Sequence, residues 1–246
     1  DGLVIRGAKL HMTGGINSHE ILVMPTTAMD EKSKDYAVVC AIPADAPGVS
    51  MIFGRQAKDD RKDNRERIDS GNPLFGGVGG EALIAFEDVF VPWERVFMNG
   101  ETEFTNAMVY RFAAHHRANY GGCKTGLIDV LTGAVTYLTQ IQGTAGASHV
   151  RDKVTEMIHL GETLYSSSIA CAAVGWPTPS GAYMVDTLLA NVGKHNATRF
   201  HFEVARLAAD LAGGFLATLP SEYDLDSEET GHLVKKYFSG VAGIPT

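Results

Sequence analysis

EALIAFEDVFVPWERVFMNGETEFTNAMVYRFAAHHRANYGGCK (81–124) holds two kinds of sequence end to end. Its opening, EALIAFEDVFVP, is rich in Phe, Val and Ile and stops at a proline, as a buried strand does. From residue 102 onward proline becomes scarce, and Ala- and Leu-rich stretches take up the helical period. Upstream lie more short apolar pieces: LVIRGAKLHM (3–12), ILVMP (21–25), YAVVCAIP (36–43) and VSMIFGR (49–55). Turn clusters such as Thr13-Gly14-Gly15 and Ala46-Pro47-Gly48 bound them, which predicts an antiparallel, barrel-like β domain over 1–101. Downstream, helices are expected over 104–143, 148–174, 182–212 and 228–240, with Tyr183, Leu188, Val192 and His195 at helical spacing in the third. The loop Trp176-Pro177-Thr178-Pro179-Ser180-Gly181 separates the second from the third. Short turns between long helices predict a bundle over 102–246, so the fold class is α+β.

The 246 residues carry a formal charge of −8, with 45% hydrophobic and 20% charged side chains. That composition is globular, and the length suits one large or two medium domains. An acidic balance argues against a general nucleic-acid or membrane-surface binder, both of which want a basic face. No apolar run approaches the ~20 residues of a bilayer span, and no secretory leader is recognisable. Cys40, Cys123 and Cys171 are too few and too scattered for a disulfide framework, which points to a reducing, cytoplasmic compartment. The chain opens at Asp1, without an initiator Met and in strand-like sequence, and is read as the middle of a longer protein.

Several suggestive stretches have plain readings. Gly76-Gly77-Val78-Gly79-Gly80 is not a dinucleotide fingerprint, because a strand follows the glycines where a helix N-terminus is needed. The run Arg55–Arg67 mixes six basic with four acidic residues and reads as a solvated loop. DLDSEE (224–229) lacks the glycine and terminal glutamate of a calcium loop and reads as an acidic surface turn.

RFAAHHRANYGGCK (111–124) carries more. On a helix His116, Tyr120 and Cys123 fall at i, i+4 and i+7, on one stripe. Imidazole and thiolate are metal ligands, and a phenol is an acid or a hydrogen-bond donor. The same residues also suit plain packing, and two ligands do not close a site that needs about four. Gly121-Gly122 costs a helix ~1 kcal/mol per glycine relative to Ala, so close backbone approach of something bulky, such as a cofactor, is expected there. His11-Met12-Thr13-Gly14-Gly15-Ile16-Asn17-Ser18-His19 gathers hydroxyl, amide and imidazole groups in a turn, either presenting donors to a heterocycle or forming an ordinary polar turn. Glu81 opens a buried-looking strand, as a base candidate or as its polar end.

FEDVFVPWERVF (86–97), between a β and a helical region, resembles the acyl-CoA dehydrogenase-like flavoproteins. More narrowly, the chain is similar to the family of 4-hydroxyphenylacetate 3-hydroxylases and 4-hydroxybutyryl-CoA dehydratases. The likeness to the dehydratase branch runs through RGAKLHMTGGINSHEILVMPT (6–26), GRQ (54–56), GGEALIAFEDVFVP (79–92), HRANYGGCK (116–124), ETLYSSSIAC (162–171), LLANVGKHNATRF (188–200) and LAADLAGGFLATLPSEYD (207–224). HRANYGGCK discriminates, since the hydroxylase branch uses the fold without an iron–sulfur cluster. The resemblance implies a [4Fe–4S] cluster held by three cysteines and a histidine, of which His116 and Cys123 are two. It makes Tyr120, Lys124 and Glu81 active-site residues. It sets Thr13, Asn17 and His19 against the flavin ring of FAD, and Gly213-Gly214 near the nucleotide half. The other two cluster cysteines belong to an N-terminal helical domain absent from this sequence.

The implied reaction is radical dehydration of 4-hydroxybutyryl-CoA to crotonyl-CoA, by a lyase that is also a vinylacetyl-CoA Δ-isomerase. Loss of the C2 proton and one electron to FAD would acidify the C3 hydrogen, which the thioester does not. A second deprotonation, at C3, would follow, and the C4 hydroxyl would leave with a cluster iron as Lewis acid. His116 is expected as a ligand and also as a base, Glu81 and Tyr120 as proton donors to the hydroxyl, and Lys124 for positioning. The fold analogy implies a homotetramer. The alternative is an FAD-dependent aromatic monooxygenase. A third possibility is an inactive core kept for assembly, since the isolated chain is expected to be inactive.

Overall fold

The computed structural model describes residues 1–53 and 81–240. The Arg55–Arg67 run and the Gly76–Gly80 cluster lie outside them. The chain packs as two compact units, Asp1–Val109 and Tyr110–Thr246.

The first unit holds β1 (Gly2–Thr13), β2 (Glu20–Val23), β3 (Val38–Pro43), β4 (Val49–Phe53), β5 (Glu81–Pro92) and β6 (Val96–Asn99). The strand expectation stands, but the barrel does not. The described strands form two open antiparallel sheets, ordered β1-β5-β4 and β2-β3-β6, and no ladder joins them. Their apolar faces pack together instead, with Ile21, Cys40 and Ile42 of one sheet meeting Ala82, Ile84, Phe86, Val89 and Val91 of the other. Each fully buried aliphatic or aromatic side chain there contributes about 1.5–3 kcal/mol.

The sequence of β5 shows how the register is kept. Ala82, Ile84 and Phe86 are buried at alternate positions; the exposed pair Glu87-Asp88 follows, and burial resumes in the opposite phase at Val89 and Val91. That slip is a β-bulge, with Asp88 at φ 54° and its carboxylate paired to Arg6 across the ladder. A second bulge falls between Lys9 and Met12, where His11 takes φ 59°.

α1 (Thr102–Ala118) begins in this unit. Thr105 is fully buried; its hydroxyl accepts from Met29 N at 2.9 Å and donates to Thr102 O at 2.7 Å.

In the second unit α2 (Tyr120–Ile141), α3 (Ser148–Ala173) and α4 (Thr187–Ala212) each pack against the other two. Their common core is Ile128 and Val135 of α2, Val150, Met157, Leu160 and Leu164 of α3, and Ala197, Val204, Leu207 and Leu211 of α4. These positions recur at three-, four- and seven-residue intervals, the spacing of a buried helical stripe. Short helices α5 (Phe215–Thr218), α6 (Glu222–Leu225) and α7 (Gly231–Tyr237) follow.

Two helix expectations change. The helix read over 104–143 is divided at Asn119. The helix read over 182–212 starts at Thr187, where the Asp186 carboxylate caps Leu189 N at 2.7 Å. Before it, β7 (Trp176–Pro177) and β8 (Tyr183–Met184) pair as a small hairpin. Tyr183 is therefore in a strand, and Leu188, Val192 and His195 lie exposed on the face of α4 opposite its core stripe. DLDSEE partly caps α6: the Asp224 carboxylate accepts from Ser221 N at 3.1 Å.

Candidate active site

The stripe read from sequence lies at the junction of α1 and α2. Asn119 breaks the helix without leaving helical dihedrals (φ −67°, ψ −20°). Gly122 N turns to Asn119 O at 3.0 Å, so Ala118 O loses its usual partner one turn on. The hydroxyl of Ser168 on α3 fills that vacancy, donating to Ala118 O at 2.7 Å.

Around the break the side chains form a row. The Phe112 ring stacks on the His116 imidazole, with centroids 5.7 Å apart and planes at 17°. Tyr120 meets the imidazole edge-on, at 5.3 Å and 78°. The Cys123 thiol points back to Tyr120 O at 3.9 Å. His116 and Cys123 are exposed, and Tyr120 and Lys124 are half-buried. The structure thus brings His116 and Tyr120 into contact, with Cys123 one turn further along.

The two glycines part company. A Cβ on Gly121 would sit 2.2 Å from the Cβ of Ser168, so Gly121 is required by the approach of α3. The cofactor expected to explain it is not needed. A Cβ on Gly122 would meet only the Asn119 side chain, at 4.0 Å, and would face open space.

In the first unit a second pair forms. Thr13 ends β1 directly opposite Glu81, the first residue of β5, and its hydroxyl donates to the Glu81 carboxylate at 2.5 Å. Glu81 is exposed, not the buried carboxylate its strand suggested. The turn after Thr13 passes through Gly14 at φ 72° and a single 3-10 turn, Gly15–Asn17. Ser18 braces it by donating to Gly15 O at 2.7 Å, leaving Asn17 and His19 exposed.

Gly213 ends α4 at φ 66°, a conformation open to glycine, and both it and Gly214 are exposed with nothing near an added Cβ.

Cys40 and Cys171 are buried, as ordinary thiols, and burial raises the pKa of both; the Asp186 charge adds to the effect at Cys171. Among the described residues no group of three or more His, Cys, Asp or Glu side chains is placed to hold a metal ion. His116 and Cys123 are of the donor types that hold iron–sulfur clusters, and they would supply at most two of about four ligands. Exposed Asn17 and His19, and glycines that leave their surroundings open, fit a flavin's polar edge and a backbone approach. Phe112 was missed, although it sits one turn before His116 on the same stripe. Ser168 was also missed, and no local pattern signals it, because its partner lies 50 residues away.

Residues 105–246 match the family model for the 4-hydroxyphenylacetate 3-hydroxylase C terminal, and residues 1–98 match that for the N terminal. The chain belongs to the 4-hydroxyphenylacetate 3-hydroxylase family. Within that family it is 51% identical, over 100% of the chain and 51% of the relative, to the 4-hydroxybutyryl-CoA dehydratase/vinylacetyl-CoA-Δ-isomerase of Clostridium aminobutyricum. A solved structure of an oxygen-tolerant archaeal 4-hydroxybutyryl-CoA dehydratase from N. maritimus is 50% identical, with a TM-score of 0.94 over 99% of this chain and 48% of that one. The oxygenase component of 4-hydroxyphenylacetate 3-monooxygenase complexed with FAD shares the fold at 23% identity and TM-score 0.79, over 97% and 49% of the chains. Glutaryl-coenzyme A dehydrogenase shares the fold more distantly, at 12% identity and TM-score 0.61 over 89% and 51% of the chains. The chain spans about half the length of these relatives.

Proposed function

We propose that this family member is part of an FAD- and [4Fe–4S]-dependent enzyme that dehydrates 4-hydroxybutyryl-CoA to crotonyl-CoA and isomerises vinylacetyl-CoA. The observation that carries the reading is the row of exposed His116, half-buried Tyr120 and exposed Cys123 in a chain half identical to dehydratases. When bound, the two cofactors supply one-electron oxidation and an iron Lewis acid.

His116 and Cys123 would hold two positions of the cluster, and a complete set requires about two further ligands. His116 is also the candidate to take the C2 proton when its imidazole is free. Tyr120 carries a phenolic proton beside that imidazole, suited to the departing C4 hydroxyl, which leaves as water. Glu81 is the second candidate donor, its carboxylate oriented by the Thr13 hydroxyl. Lys124 would position substrate. Thr13, Asn17 and His19 would line the flavin ring, and Gly213-Gly214 would admit the nucleotide half without a side chain in the way. We place the enzyme in the cytoplasm as a homotetramer. No helix among the described residues is long and apolar enough to cross a membrane.

Iron analysis under anaerobic conditions tests this. About four irons per full-length chain are expected, and Cys123→Ala in that full-length protein should lose cluster signal and dehydration together. Full turnover by the variant would refute the assignment. The second reading, an FAD-dependent aromatic monooxygenase, is favoured by the hydroxylase family models and expects flavin without iron.

A further inference from the structure

Two donors seven residues apart stand about 10 Å apart along a straight helix, whereas metal–ligand bonds are about 2 Å long. A group shared by His116 and Cys123 therefore demands that the helix path between them and the direction of each side chain be set. Both are set here by residues that no functional reading has used. The path is fixed at the Asn119 break, where Ser168 donates to the freed Ala118 carbonyl and α3 packs into the space left by Gly121. The imidazole contacts two rings, stacked on Phe112 and edge-on to Tyr120.

We propose that Phe112 and Ser168 are positioning residues: Phe112 buttresses the His116 imidazole, and Ser168 pins the helix break that sets Cys123 relative to it. This inference rests on the proposed cluster for its purpose, though not for its geometry. Phe112 is half exposed (53%), so its ring contributes little core burial, and a role in the fold alone explains its stacking poorly. Among the described residues, Ser168 is the one side chain that bonds to Ala118 O. Its loss leaves a carbonyl at the break unpaired, free to draw Gly122 N back into a continuous helix.

The test has two arms. In the metal-free protein, 13C-labelled at histidine Cε1, the His116 resonance should carry a ring-current shift. Phe112→Leu should remove the Phe112 share of that shift, leaving the Tyr120 share, and Phe112→Tyr should restore it. An unchanged resonance in Phe112→Leu overturns the buttress whatever the cofactor content. In the iron-loaded protein, pulsed EPR of the reduced cluster should show one coupled histidine nitrogen, absent in His116→Ala. Phe112→Leu and Ser168→Ala should each weaken or scatter that coupling while Phe112→Tyr keeps it. A merely structural role predicts a lower melting temperature with the coupling unmoved, and that result overturns the proposal. Absence of the coupling in the unsubstituted protein overturns the ligand assignment, a failure that the metal-free arm reads separately.

Discussion

At the scale of single residues, the arrangement separates groups that touch from groups that share only a sequence motif. His116 and Tyr120 are in ring contact, and Thr13 and Glu81 share a short hydrogen bond. Cys40 and Cys171 stay in apolar cores. If the Tyr120 phenol delivers a proton to the leaving hydroxyl, Tyr120→Phe should retain iron and flavin yet lower kcat by roughly 10²–10⁴, the usual worth of general acid catalysis. Steady-state kinetics beside metal analysis reads both. An unchanged kcat would make Glu81 the acid. The stripe from His116 to Cys123 was legible in sequence because helical periodicity alone puts those positions on one face. For Glu81 the sequence left both a buried base and the polar end of the strand open, because alternation along β5 does not say that its first residue lies at the open end of the ladder.

At the scale of elements, the junction of α1 and α2 is the feature that periodicity could not show. RFAAHHRANYGGCK reads as one helix because Asn119 keeps helical dihedrals while the hydrogen-bond ladder shifts by a residue. Gly121 and Gly122 look equivalent in sequence and are opposite in space. Gly121→Ala would gain about 1 kcal/mol of helix propensity but drive its Cβ into Ser168, and overpacking of that kind costs about 1–3 kcal/mol or more. A net loss of stability is expected. Gly122→Ala meets no obstacle and should stabilise by about 0.5–1 kcal/mol. Denaturant midpoints of the two variants should therefore move in opposite directions, and movement in the same direction would contradict the packing described. The hairpin β7–β8 and the exposed row Leu188, Val192 and His195 make the same point about α4. Spacing identified a stripe, and the stripe that packs is the one starting at Ala190.

For the whole molecule, the division into two units gives each its own buried thiol and leaves one thiol outside both cores. In the metal-free protein Cys123 should alkylate rapidly at neutral pH. Cys40 and Cys171, buried and with raised pKa values, should react only on unfolding. Mass spectrometry of labelled peptides along a denaturant series would then follow the β unit through Cys40 and the helical unit through Cys171. Rapid labelling of either in the native protein would refute its burial. The order of the strands β1 to β6 and the change of character near residue 102 were legible in sequence, since each depends on local period or turn chemistry. Three things were decided only in the tertiary structure: two open sheets in place of a barrel, the break at Asn119, and Ser168 beneath Gly121. Strand partners, and a hydroxyl that meets a carbonyl 50 residues away, are set by which surfaces pack, and no local pattern encodes that.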